Sequence, residues 1–121
     1  MPTISDYSNS IIATACWRAA KDDLHSVMLA VCQVFQNRTK SSGLDVYEEA
    51  ARFLEERPGG FPDTRDPQFQ QLLARLPSVL SGDVSDKTGG AWWFLPKDDL
   101  VPGMLSAFQI TTTIGSLTFV R

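Results

Sequence analysis

Residues Ser81 to Pro96 read SGDVSDKTGGAWWFLP, with two tryptophans and a phenylalanine directly behind a Thr-Gly-Gly turn. The paired Gly89 and Gly90 allow a sharp turn with positive φ and let another segment approach the backbone closely. The aromatics then leave on a short extended run that Pro96 ends. Neighbours on such a run point to opposite faces, which predicts Trp92 and Phe94 on one side and Trp93 on the other. One side enters the core. The ring on the other is either a lid over that core or a platform for a ligand.

Upstream of this turn the pattern is helical. Asp6 to Ala20 reads as a first helix, capped by Ser8 or Ser10, with Ile12, Ala15, Cys16 and Ala19 on one stripe. Leu24 to Arg38 is apolar over much of its circumference, which predicts the central, most buried helix. TKSSG is expected to be a loop. A third helix runs from Leu44 or Asp45 to Glu56, with Val46, Tyr47, Ala50, Phe53 and Leu54 on its apolar face and Glu48 and Glu49 on its solvated one. RPGGFPDTRDP is a long irregular stretch. Asp66-Pro67 places a cap before a proline at the first helical position, opening a fourth helix to about Leu80 that Pro77 should kink or restart.

Downstream, Ala91 to Leu95 and Gln109 to Val120 favour extended structure, and QITTTIGSLTFV alternates β-branched residues around Gly115 as a terminal hairpin would. The expected fold is α+β and helix-dominant, with a small C-terminal β-hairpin or sheet. A length of 121 residues fits one domain, 1–121, closing a single core.

Composition excludes several function classes. The net charge is −3 and the basic residues are scattered, which disfavours nucleic-acid binding through a phosphate-neutralising patch. No segment approaches the length of a membrane span. The opening MPTISDYSNSIIATACW has no basic leader, so the chain is expected to be cytoplasmic when made. Release to the cell wall, or incorporation in a particle, would then need another route. Two cysteines and one histidine do not make a zinc site. Cys16 and Cys32 read as buried thiols, with a disulfide as the other reading, and His25 as a surface or helix-entry residue. No metal and no cofactor are implied.

Three segments in order resemble the catalytic domain of bacterial cell wall hydrolases of the spore-cortex-lytic type. AVCQVFQNR, Ala30 to Arg38, resembles that family's buried helix ending in Asn-Arg. LSGDVSDKTGGAWWFLP resembles its Gly-acidic-x-Thr-Gly-Gly-Ala segment followed by aromatics and proline. TIGSLTFVR, Thr113 to Arg121, resembles its closing strand. The resemblance covers Ile11 to the end and implies a lysozyme-like helical fold that acts on the glycan strand of peptidoglycan. It also implies one carboxylic acid on the first helix, which protonates the leaving glycosidic oxygen. The family's aromatic-Ala-Glu-Ala-Arg-Gly-Glu motif falls on WRAAKDD, Trp17 to Asp23, and puts that acid on Ala19. The histidine of the closing strand falls on Leu117. A methyl group delivers no proton.

The expected function is therefore a degenerate cell wall hydrolase-like domain, with its catalytic glutamate lost. Its partner would be a peptidoglycan glycan strand or a protein. The alternatives are a structural or assembly protein of a phage particle or secretion machine, and an active hydrolase using Asp22 or Asp23. Those two aspartates are the candidate acids, although both also suit a helix end or cap. Trp92, Trp93, Thr88, Gly89 and Gly90 are the candidate substrate-binding residues, on the premise that a tryptophan face stacks on a sugar ring.

Overall fold

A computed structural model describes residues 4–20, 23, 25–99, 103 and 107–121, with backbone alone for 4–6. Helices α1 (Ile4–Ala20), α2 (His25–Ser42), α3 (Val46–Glu56) and α4 (Pro67–Leu80) precede strands β1 (Trp93–Pro96), β2 (Ile110–Ile114) and β3 (Leu117–Val120). The strands form one antiparallel sheet in the order β1-β3-β2. The helix-dominant α+β expectation holds, and the terminal hairpin gains a third strand from the aromatic run. No helix among the described residues is long and apolar enough to cross a membrane.

Burial follows the helical periodicities. Helix α2 buries Val27, Met28, Ala30, Val31, Val34 and Phe35 around most of its circumference, as a central helix must. Small residues on α1, Ala13, Ala15 and Cys16, are fully buried and let its backbone lie close to its neighbours. Cys16 and Cys32 are free, buried thiols. Burial, and then the neighbouring Cys32 thiol, pushes the Cys16 thiol well above its ordinary value, so it behaves as packing material.

Caps fix two helix starts. Asp45 accepts from the Glu48 amide at 2.8 Å while the Glu48 side chain accepts from the Asp45 amide, a reciprocal capping box. Asp66 accepts from the Gln68 amide at 2.8 Å ahead of Pro67.

Four local expectations need correction. Helix α1 starts at Ile4, so Ser8 and Ser10 lie inside it and are not its caps. TKSS continues α2 to Ser42 instead of forming a loop, because Thr39 and Ser41 turn their hydroxyls onto the carbonyls of Gln36 and Arg38. Helix α4 does not restart at Pro77 but runs through it: Leu76 and Val79 are both buried beside it, and that packing offsets the lost backbone bond. Glu49 is not solvated. It is 1% exposed and meets the Arg38 guanidinium at 3.2 Å.

The sheet has two different faces. Phe94 pairs with Phe119 in register, and these rings, with Phe35 and Phe53, form an aromatic cluster against the helices. Val120 faces the other way, flanked in register by Trp93 and Ile110. Trp93 contacts Phe108, with ring centroids 5.4 Å apart.

Candidate functional site

Between the end of α1, the end of α3 and the sheet lies a groove made of two adjoining depressions of about 140 and 160 Å³. Arg18, Ala19, Pro96 and Leu117 line both. Phe53, Arg57, Pro58 and Phe94 complete the first, while Ala20, Asp23 and Ser116 complete the second. Ala19 is half-buried, at the position where the resemblance places a proton-donating glutamate. Its surroundings are apolar on the Phe53–Phe94 side and cationic on the Arg18 side.

Arg18 is committed to holding a wall. Its Nη1 donates to the Arg57 carbonyl at 3.1 Å, its Nη2 to the Gly59 and Gly60 carbonyls at 3.0 and 2.7 Å, and its Nε to Gly60 at 3.2 Å. Phe61 lies beneath the guanidinium, 5.2 Å from its centroid. A cation at the carbonyl end of α3 is also favoured by the helix dipole. Sequence reasoning missed this contact because the partners lie about forty residues away, beyond any local pattern.

Asp23 lines the second depression but is turned to the β2–β3 turn. Its Oδ2 accepts from the Ser116 amide at 2.8 Å and from the Ser116 hydroxyl. Gly115, at φ +59°, lies against the same carboxylate with no room for a Cβ. That oxygen is therefore engaged as an acceptor and pins the hairpin to the α1–α2 junction. The other candidate acid, Asp22, lies outside the described residues.

The Thr-Gly-Gly segment is a structural knot. Asp86 accepts from the Thr88 amide at 2.8 Å, the Thr88 hydroxyl at 2.6 Å, the Gly90 amide at 3.0 Å and the Asn37 amide group at 2.9 Å. Burial acts to raise the Asp86 pKa, but the bonds from Thr88, Asn37 and Gly90 outweigh it and hold the carboxyl below its ordinary value. Asn37 also donates to the Ala91 carbonyl at 3.0 Å, so the end of the buried helix anchors the loop. Thr88 is fully buried, and its carbonyl accepts from Thr111, which the β2 bulge frees from pairing. Gly89 and Gly90 take φ of +68° and +80°, close to Thr111 and Arg121. All three proposed binding residues of this segment thus serve loop geometry.

The two tryptophans are not brought to Ala19. Trp93 is 42% exposed on the outer sheet face beside Phe108. Trp92 is half-buried, 5.9 Å from Trp93, and bonded through its amide to Val120. The aromatic rings that line the groove are Phe94 and Phe53. The alternation along the strand gave a sign: Phe94 and Trp93 point opposite ways.

Helices wrapped on a buried α2 and closed by a small sheet, with a groove at the end of α1, make up the architecture. Two solved structures share it along the whole chain. The catalytic domain of the germination-specific lytic transglycosylase SleB from Bacillus anthracis superposes with a TM-score of 0.69 at 16% identity, covering 100% of both chains. The catalytic domain of the Bacillus cereus SleB protein superposes with a TM-score of 0.67 at 18% identity, covering 100% of this chain and 94% of that one. At these identities the likeness is one of fold, and it bears out the fold implied by the three motifs. No protein-family model and no curated protein matches the chain.

Proposed function

We propose that this chain is a catalytically degenerate cell wall hydrolase-like domain that holds a glycan strand of peptidoglycan without cutting it. The observation that carries the reading is the groove itself, floored by Ala19 where an acid is expected. A general acid must sit within reach of the leaving oxygen with a proton to give. Asp23, the one carboxylate lining this groove among the described residues, has its Oδ2 taken up by Ser116. The walls still suit a sugar ring: Phe53 and Phe94 offer apolar faces, and Arg57 is a donor near the rim.

The test is a pulldown on insoluble peptidoglycan beside a turbidity assay on the same material. Wild type should bind without clearing, and Ala19→Phe, which fills the groove, should bind at least about tenfold more weakly, a loss of ~1.4 kcal/mol. Trp93→Ala reports whether the outer face takes part. Clearing by wild type that Asp23→Asn abolishes would sink the proposal in favour of a hydrolase working from the second depression. One observation favours a protein partner instead: Trp93, Phe108 and Ile110 are all exposed on the outer sheet face. Neither binding nor clearing would turn the reading to that face, as in an assembly protein that keeps the fold as a building block.

A further inference from the structure

Apart from the groove, a hollow of about 90 Å³ lies between the first turns of α2, α4 and the loop before the Thr-Gly-Gly turn. None of its lining residues lines the groove. His25, Ser26, Gln33, Arg75 and Lys87 supply its polar walls. We propose that this hollow is a binding site for a small oxyanion, a phosphate or carboxylate group held between Arg75, Lys87 and His25.

Four observations converge on it. In a chain of net charge −3, three cation-capable side chains meet here. Among the described residues no carboxylate lies in salt-bridge contact with Arg75 or Lys87. Asp23, two residues before His25 along the chain, is turned to Ser116. Both ring nitrogens of His25 are buried and have no hydrogen-bond partner, a costly state for an imidazole that a turn of the ring onto a bound acceptor would relieve.

The wall bearing Lys87 is also built in advance. Gln33 donates to the Ser85 carbonyl at 2.8 Å and accepts from the Lys87 amide at 3.1 Å, fixing residues 85–87 on α2. Burial first, and then the Arg75 charge, lowers the His25 pKa. An anion between them reverses the second effect and turns both ring nitrogens into donors. The volume suits a single anionic group and excludes a drug-sized ligand. The Arg75 guanidinium offers the planar fork that carboxylates and phosphates match.

Because His25 is the chain's one histidine, its ring resonances report on the hollow without assignment. The experiment titrates the intact chain at low ionic strength with inorganic phosphate, with glycerol phosphate and with acetate, using chloride at matched ionic strength as reference. A saturable shift of the His25 signals is expected with at least one oxyanion and not with chloride. The His25 pKa should rise by about 0.5–1 with that anion bound. The arm that saturates at the lowest concentration identifies a free phosphate, a phosphate ester or a carboxylate as the preferred source. Arg75→Ala should weaken binding at least about tenfold, and Lys87→Ala about threefold or more, with the far-ultraviolet dichroism unchanged. Arg75 and Lys87 are exposed, so neither change should disturb folding. Shifts that never saturate, that chloride reproduces, or that survive Arg75→Ala would overturn the proposal.

Discussion

Replacing Asn37 by alanine should unfasten the Thr-Gly-Gly loop from the buried helix. Asn37 is 7% exposed, and its Nδ2 donates to Asp86 Oδ2 at 2.9 Å, to the Ala91 carbonyl at 3.0 Å and more distantly to Thr88 Oγ1 at 3.3 Å. The bond to the Asp86 carboxylate is charge-assisted and contributes about 1.5–3 kcal/mol, and the bond to Ala91 about 0.5–1.5 kcal/mol. Asp86 is partly solvated and takes water in place of the lost donor, so the low end applies to its share. The expected loss is roughly 2–3 kcal/mol. For a domain of this size that lowers Tm by about 6–12 °C. Urea unfolding followed by tryptophan fluorescence reads the change directly, since Trp92 and Trp93 adjoin the loop. Asp86→Asn, alone and combined with Asn37→Ala, completes a double-mutant cycle that should show about 1 kcal/mol or more of coupling. A loss for Asn37→Ala below about 0.5 kcal/mol, or additive single changes, would refute the idea that this side chain holds the loop.

Three other outcomes are expected. The Asp86 carboxyl titrates below its ordinary value in the folded chain, so its contribution to stability is fully present above the unfolded pKa of about 4 and disappears as pH falls through the lower folded value; Asp86→Asn should flatten that acid limb in denaturation measured across pH 2–5. Arg38→Ala removes the ion-pair partner of a carboxylate that is 1% exposed and should cost about 2–4 kcal/mol in urea unfolding, while adding Glu49→Leu should recover most of it. Gly115→Ala forces a Cβ against the Asp23 carboxylate at φ +59° and should cost more than about 1.5 kcal/mol, with weakened protection of the Ser116 amide in hydrogen exchange; an unchanged Ser116 amide would show that Asp23 does not hold the turn.

What was legible in the sequence was what local chemistry writes. Asp66-Pro67, the apolar circumference of α2 and the β-branched alternation around Gly115 each report on a few neighbouring residues, and each placed its element correctly. What was not legible depends on partners far along the chain. Glu49 reads as a solvated helix charge until Arg38 is folded against it. Asp23 reads as a helix end or cap until Ser116 arrives from the last hairpin, and nothing local to Arg18 announces the carbonyls of Arg57, Gly59 and Gly60 that it holds. TKSS reads as a loop for a smaller reason: hydroxyls that often end a helix can also bond back along it.

Three clamps hold the surroundings of the groove independently of residue 19. Arg18 fixes the 57–60 wall, Asp23 fixes the hairpin, and Asn37 with Asp86 fixes the loop that leads into β1. None of them uses residue 19. An acid at that position, beside Phe53, Phe94 and Pro58, would have to be kept in partly apolar surroundings at a cost to folding. Alanine at this position carries no such cost and takes no part in any clamp. Stability alone could maintain the clamps, but stability gains nothing from an open depression beside them, because filling such a space adds contacts. Filling the groove through Ala19→Phe therefore tests the proposed binding surface: unchanged peptidoglycan binding by that variant would leave the groove as a feature of the scaffold alone.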